Sequence, residues 1–407
     1  MIRRYPIHAL LLLVLLAGWL LLSFYNVLVD DDLVFLRLLQ EKGIAEATRY
    51  QYDTWNTRWM SFLWLHLWMG SFTPTGSLLP YHFFTLAALI AVSYRSVRAL
   101  QILNWVREGS AADTLFMATL MAFAIIVSSY HIGDTWFWVN TSTMYGWNLV
   151  FILWAFSIVL LPYKIRLINS VLLVICGLYT GGASEPAVAS LILLASTGLI
   201  LGKIPSRYRT PILIFMLSMV CSFSIAYMGE GHVQREKALP DAGLIRWAGL
   251  SAWYFIRIII IESPVRWILI IALLWPLRHQ ELNKRPHTVP SSLNLILGYV
   301  LTVGVHSTSL VAIMGDYGPP RSLSFIGLMT VMALIGLIGS MQARWIQMVG
   351  RLAIFPSILL ASWIMIRQAQ ALPAYRKYAC EVIEGKRKLE PDQVPDSGLL
   401  HRISFNE

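Results

Sequence analysis

The sequence predicts an all-α fold, a polytopic transmembrane helical bundle of about eleven spans, organised as one domain over residues 1–371. Hydrophobic residues make up 57% of the 407 residues and charged residues only 13%, well below the roughly 25% of soluble domains. Apolar runs long enough to cross a bilayer recur from end to end. The 16 Trp, 17 Tyr and 17 Phe agree with aromatic belts at both membrane interfaces.

The first apolar run follows Arg3 and Arg4; it is too long for a signal peptide and has no A-x-A cleavage site, so it predicts a retained membrane helix. The eighth run contains Glu262, Pro264 and Arg266. It is either one kinked span or an interfacial helix followed by a span. The predicted spans are 7–29, 80–102, 112–130, 146–162, 167–183, 186–202, 211–227, 252–277, 291–313, 323–340 and 351–371.

Loop charge predicts the orientation. Every second connection, beginning with the N-terminus, carries Lys or Arg and almost no acid, which places those connections in the cytoplasm. The net charge of +10 is therefore spread over short loops, with no basic run of the kind that binds nucleic acid. The connections predicted to face outward are 30–79, 131–145, 183–185, 228–251 and 314–322, with a short tail at 372–407.

The outward connections are longer and richer in polar groups, so we expect the function to lie there. Asp30, Asp31 and Asp32 directly follow the first span. Adjacent carboxylates repel one another, and burial near a bilayer makes this worse. Two interpretations stay open: a solvated loop or helix N-terminus whose dipole favours Asp, or a general base or cation ligand.

The segment 49–72 contains an apolar, Trp-rich stretch that is shorter than a span. This pattern predicts a helix lying in the membrane interface over about 55–70. Arg58 lies within it, and a guanidinium can bind phosphate through two parallel hydrogen bonds. We interpret Arg58 as a phosphate ligand, whereas an exposed cation is an equally good interpretation of His66.

The segment 130–147 combines aromatic rings with amides and carboxylates. A sugar stacks its C–H face on aromatic rings while its hydroxyls need hydrogen-bonding partners, so the combination indicates sugar binding. An ordinary aromatic belt is the other interpretation. The candidate substrate-binding residues of this segment are His131, Asp134, Trp136 and Tyr145.

Charged residues mark three further outward connections. Glu185 occupies the tightest turn, where packing does not explain a carboxylate, and it is a candidate substrate-binding residue together with His232. Arg235 and Arg321 are candidate phosphate ligands. A cation at head-group depth suits a phosphate, although snorkelling to the head groups explains Arg321 equally well.

Five short motifs in this order, "VDDDLVF", "YDTWNTRW", "SEP", "GHVQR" and "PPR", resemble the GT-C superfamily of integral-membrane glycosyltransferases, and bacterial members in particular. The likeness spans the whole chain and rests on the order and sidedness of the motifs. It implies a GT-C-like fold in a bacterial inner (cytoplasmic) membrane, with the N-terminus in the cytoplasm and the active site facing the periplasm or exterior.

The resemblance also implies an activity. A sugar would pass from a polyprenyl-phosphate-linked donor to a cell-envelope glycan or lipid acceptor, with inversion and an Asp general base. The resemblance implies that one residue of the acidic triplet is the catalytic base, in the order of preference Asp31, Asp32, Asp30. A divalent cation (Mg or Mn) stays open as a cofactor. The donor-phosphate ligands implied are Arg58, Arg235 and Arg321.

Other functions are less well supported. A flippase or transporter for a lipid-linked or amphipathic solute is the main alternative, but carriers often show repeated halves and charges near the membrane centre, and neither pattern is visible here. A polysaccharide ligase or polymerase would be expected to use a large outer loop. The sequence contains no P-loop and no dinucleotide fingerprint, which disfavours ATP-driven transport and soluble-cofactor chemistry.

Overall fold

The computed structural model describes residues 5–28, 31–54, 57–161, 166–202, 204–231, 244–258, 263–277, 292–314, 320–340 and 344–386; most of these residues are helical and none of them lies in a strand. The helices, numbered here in chain order, are α1 (Pro6–Tyr25), α2 (Asp31–Thr54), α3 (Trp59–Met69), α4 (Leu79–Ile102), α5 (Ala111–Ser128), α6 (Trp147–Leu160), α7 (Leu167–Gly181), α8 (Glu185–Ile200), α9 (Ser206–Tyr227), α10 (Leu244–Ile256), α11 (Ser263–Leu274), α12 (Ser292–Met314), α13 (Ser324–Ser340) and α14 (Arg344–Ile383).

Seven helical segments of the described chain are long and apolar enough to cross a membrane. They include α1, α4, α5, α9 and α12, together with 139–160 around α6 and 321–338 around α13. Four shorter apolar helices occupy α7, α8, 267–277 and 352–363. Each predicted span therefore contains an apolar helix. The membrane character agrees with the prediction, and the total of about eleven crossings stays a prediction.

Two elements differ from the sequence-based expectation, and a third bears on a choice that the sequence left open. The predicted outer connection 30–79 contains the long helix α2, which bends at Gly43, where φ is +74°. The eighth predicted span, for which the sequence left one kinked span or two helices open, contains described parts of two helices with different neighbours: α10 packs on α12, and α11 packs on α5 and α14. Helix α14 continues beyond residue 371 as far as Ile383.

Local signals account for several helix starts. Ser110 and Asp113 form a capping box at the start of α5, in which each side chain accepts a hydrogen bond from the other residue's backbone N–H. Proline stands in the first turn of α1, α4 and α8, where its missing N–H leaves no helical bond unmade. The apolar composition of the same segments supplies the rest, because a backbone in hydrocarbon must satisfy its own hydrogen bonds.

Helices α7 and α9 pack backbone to backbone through glycine. Gly177 and Gly181 are four residues apart and face α9; a Cβ at Gly177 would lie 2.6 Å from the carbonyl oxygen of Phe215. A Cβ at Gly181 would overlap the carbonyl oxygen of Met219. Across this contact the Ser222 hydroxyl donates to the carbonyl of Leu178 at 2.6 Å. Small residues at this spacing let membrane helices approach closely.

Gly181→Ala is expected to destabilise the protein by about 1–3 kcal/mol, because the added methyl group meets backbone atoms that cannot rotate away. The measurement is the midpoint of thermal unfolding of the purified protein in detergent. The matched control is Gly298→Ala on α12, where a Cβ meets nothing within 4 Å. Equal midpoints for the two variants would contradict this account of the contact.

Candidate functional site

The segment 133–146 forms a platform at one end of the bundle. Two π-helical turns, Gly133–Phe137 and Ser142–Gly146, lie against each other on either side of the short turn Val139–Thr141. Gly146 permits this, since a Cβ there would lie 2.7 Å from the carbonyl oxygen of Thr135. Wide turns of this kind are frequent at functional sites because they redirect side chains out of a regular helix.

Hydrogen bonds fix this platform to the surrounding helices. The amide of Asn26, just after α1, donates to the carbonyl of Phe137 at 2.5 Å. The hydroxyls of Tyr81 and Ser142 are 2.5 Å apart, which ties the platform to α4. From α7, the Tyr179 hydroxyl donates to a platform carbonyl at 2.5 Å. The platform is therefore held from three sides.

The acidic pair reaches the platform from the first turn of α2, which contains both Asp31 and Asp32. At this position the two carboxylates complement the positive end of the α2 dipole, which is one of the two interpretations that the sequence left open. Asp32 is buried, and its Oδ1 accepts a hydrogen bond from the backbone N–H of Asn140 at 2.8 Å. Asp31 is half-buried beside it. The two carboxylates thus differ in access although they are adjacent in sequence.

Arg58 and Glu185 form a buried ion pair. Nη2 and Nε of Arg58 lie 2.8 and 3.1 Å from Oε2 of Glu185, and Nη1 donates to the hydroxyl of Tyr145 at 3.1 Å. Burial lowers the pKa of Arg58, but the charge of Glu185, the neighbouring Tyr145 and the hydrogen bonds to both side chains together outweigh burial, so the pKa is raised. The guanidinium directs its donors at neighbouring side chains, which limits its capacity for a phosphate.

A second ion pair joins Arg321 to Asp134. Nη1 of Arg321 lies 3.1 Å from Oδ2 of Asp134, and the guanidinium lies over the ring of Trp138, 4.9 Å from its centroid. Nδ1 of His131 lies 3.1 Å from Oδ1 of the same carboxylate. The side chains of Arg321 and His131 are 23% and 42% exposed. Unlike Arg58, both can be reached from outside.

Tyr145 and Ser322 connect the two ion pairs, with their hydroxyls 3.5 Å apart. Behind them lies His306 on α12, which is buried and which the sequence analysis did not select. Its Nε2 lies 2.9 Å from the carbonyl oxygen of Ser322 and its Nδ1 3.2 Å from the hydroxyl of Ser190 on α8. Its position inside a predicted span could have pointed to it, because a polar residue within a membrane span usually faces a polar partner.

Two predicted roles do not match the positions found. Trp136 is fully buried, and its indole N–H donates to the hydroxyl of Ser129 at 2.9 Å. It supports the platform and presents no ring face to a sugar. His66 is buried rather than an exposed cation, burial lowers its pKa to about 4, and its Nδ1 lies 2.9 Å from the Thr48 hydroxyl.

Helix α3 also differs from a helix that merely rests in the membrane interface. Its residue Trp64 makes edge contacts with Trp147 and Tyr179, at centroid distances of 5.0 and 6.3 Å. The aromatic side chains that the sequence assigned to the lipid interface therefore also hold α3 against the bundle, and this packing positions Arg58 at the start of α3.

The described donors do not form a metal centre. Within these residues no group of three or more His, Cys, Asp or Glu side chains could hold a metal ion. Among the described residues, the adjacent carboxylates of Asp31 and Asp32 offer a divalent cation two oxygen ligands. The predicted site residues Asp30, His232 and Arg235 lie outside the described residues.

The site as a whole draws on four of the connections predicted to face outward. One of them, 131–145, forms most of the platform, and the other three supply Asp32, Arg58, Glu185 and Arg321, each of which contacts the platform directly or through one neighbour. The ion pair of Arg321 with Asp134, for example, joins residues 187 positions apart. Comparison with protein-family models, with curated proteins and with solved structures finds no match to this chain.

Proposed function

We propose that this protein transfers a sugar from a polyprenyl-phosphate-linked donor to a cell-envelope glycan or lipid acceptor at the outer face of a bacterial inner membrane. The observation that carries the proposal is the shared platform. It contacts Asp32, one member of the carboxylate pair, through Asn140, and a partly exposed arginine through Trp138, two residues away. An acid and a cation so placed suit proton removal and anion stabilisation at neighbouring points.

The chemistry follows from these two functions. A carboxylate of the Asp31–Asp32 pair takes the proton of an acceptor hydroxyl, which is a poor nucleophile while protonated. The oxygen attacks the anomeric carbon, the bond from that carbon to the phosphate oxygen breaks, and the lipid phosphate leaves. Displacement from the opposite face inverts the anomeric centre, and the charge that develops on the phosphate is stabilised by a cation.

Two described arginines, Arg58 and Arg321, are candidates for that cation. Arg58 is buried and makes a two-donor contact with Glu185, whereas Arg321 is partly exposed and shares Asp134 with His131. We therefore assign the phosphate contact to Arg321 and a structural role to Arg58. In this assignment Glu185 holds Arg58 in place, and the substrate contacts the exposed side of the platform, where His131 and Arg321 lie.

The test is mass spectrometry of envelope glycans from a strain that lacks the gene. The strain is complemented with the wild type, Arg321→Gln or Arg49→Gln at matched membrane levels; Arg49 is an 82% exposed arginine on α2. We expect a glycan to lose one sugar on deletion, wild type and Arg49→Gln to restore it, and Arg321→Gln to lower transfer by about 10²-fold.

Two results would contradict the proposal. Intact glycans in the deletion strain would show that the protein transfers no sugar to them. If the glycans are intact and lipid-linked sugar accumulates on the cytoplasmic side, the protein is instead a flippase, which is the alternative function. The lipid-linked fraction is therefore measured in the same samples.

A further inference from the structure

A cavity of about 420 Å³ lies beside the platform, between α1, α5, α11 and α14. Helix α14 runs alongside α1 here: Gly18 faces Met365, and Arg376 donates to the carbonyl of Phe24. On α1 the lining extends from Leu11 to Leu22. These eleven steps correspond to a depth of about 16 Å at 1.5 Å per residue. That depth is about half the 30 Å hydrocarbon core of a bilayer.

Nearly all polar lining side chains lie at one end of the cavity. Ser129, Tyr130 and His131 line the end next to the platform, and the rest of the lining is apolar except for Ser357. The Ser357 hydroxyl donates to the carbonyl of Ala353 on its own helix and so offers its proton to no ligand. An apolar shaft with polar groups at one mouth suits an amphipathic ligand whose head stays at that mouth.

The volume limits what the shaft can hold. At roughly 30 Å³ for each methylene-sized unit, the volume that one water molecule takes in the liquid, it accepts a single aliphatic chain of about 14 carbons. Two full acyl chains would need about twice that space. At the mouth, His131 and Arg321 share the carboxylate of Asp134 and are both partly exposed. Arg321 supplies a permanent positive charge there and the imidazole of His131 supplies further hydrogen-bonding capacity, and this combination suits the oxygens of an anionic head group.

We propose that this cavity binds the terminal part of a single-chain lipid phosphate, with its phosphate at His131 and Arg321 and its chain between α1, α5, α11 and α14. The proposal rests on the proposed function, because it assigns the lipid of the donor to a defined place in the protein. It predicts that the chain descends from the platform towards Leu11 and Leu273.

The test uses the full chain in phosphatidylcholine nanodiscs and a farnesyl phosphate probe with a diazirine at the chain end. After illumination, labelled peptides are mapped by mass spectrometry. We expect label on α1 and α11 near Leu11 and Leu273, and at least tenfold less label in Gly18→Leu, which fills the shaft opposite the flexible side chain of Met365. Ala361→Leu fills it from α14 and guards against a folding defect in the first variant.

The matched control is Gly298→Leu, at a position where a Cβ meets nothing within 4 Å; its labelling should equal that of wild type. Unlabelled farnesyl phosphate should compete at least tenfold better than farnesol, which has no phosphate. Unchanged labelling in both filled variants, or label on other helices, would overturn the proposal. Equal competition by phosphatidylglycerol would identify an ordinary diacyl-lipid site and overturn it as well.

Labelling requires no turnover, so its failure and the failure of the proposed function can be told apart. Absent cavity labelling together with a glycan that depends on the gene leaves the transferase in place and removes only this lipid site. Cavity labelling together with unchanged glycans removes the transferase, and with it the assignment of the bound lipid as a sugar donor.

Discussion

Asp31→Asn is expected to lower sugar transfer by about 10²–10⁴-fold, the contribution typical of a general base. The amide keeps the shape of the side chain and its place in the first turn of α2 but cannot take a proton. Because Asp31 is half-buried rather than enclosed, the amount of folded protein should stay close to that of wild type. The measurement is the rate of transfer to the glycan at matched membrane levels.

Asp32→Asn separates the two carboxylates. Asp32 is buried and accepts a backbone hydrogen bond from the platform, so this variant should also lower thermal stability. The control is Asp53→Asn, a 41% exposed carboxylate at the far end of α2, which should leave transfer unchanged. Full transfer by both Asp31→Asn and Asp32→Asn would show that the acidic pair serves the helix N-terminus alone.

Arg58→Ala is expected to destabilise the protein by about 3–5 kcal/mol, because it leaves the carboxylate of Glu185 buried without its partner. The guanidinium and carboxylate side chains are 5% and 10% exposed and 2.8 Å apart. The same change also removes the hydrogen bond to Tyr145. The measurement is the loss of folded protein on heating in detergent, followed by size-exclusion chromatography.

Two controls test this explanation. The double variant Arg58→Met with Glu185→Met removes both charges and should recover most of the lost stability, since buried ion pairs are often replaceable by apolar residues. Arg49→Ala breaks an exposed pair with Asp53, 3.5 Å apart, and should change stability by less than about 0.5 kcal/mol. A double variant as unstable as Arg58→Ala would assign the effect to lost packing.

Much of the helical framework could be predicted because it depends on local composition. A run of about 20 apolar residues must form a helix in hydrocarbon, where the backbone has no water to bond. The sequence did not predict helix α2, because its charged residues lower the average hydropathy of the segment although one of its faces is apolar and packs on the protein. Leu36 and Leu39 of that helix are buried, as is Phe35, and their spacing was the available signal.

The sidedness of the chain also proved informative for the site. Loop charge grouped 30–79, 131–145, 183–185 and 314–322 on one side, and the structure shows that residues of all four meet at one end of the bundle. Which side of a membrane that end faces remains a prediction from the positive-inside rule.

The sequence by itself determined the helical class, the apolar segments and a set of polar residues to consider. Only the tertiary structure decided their partners: Arg58 pairs with Glu185 across 127 positions, and Arg321 with Asp134 across 187. It also decided that Trp136 is enclosed while His131 is open. The physical reason is that partners depend on how helices rotate and how closely they approach, and contacts such as that of Gly181 with α9 set both without a local pattern.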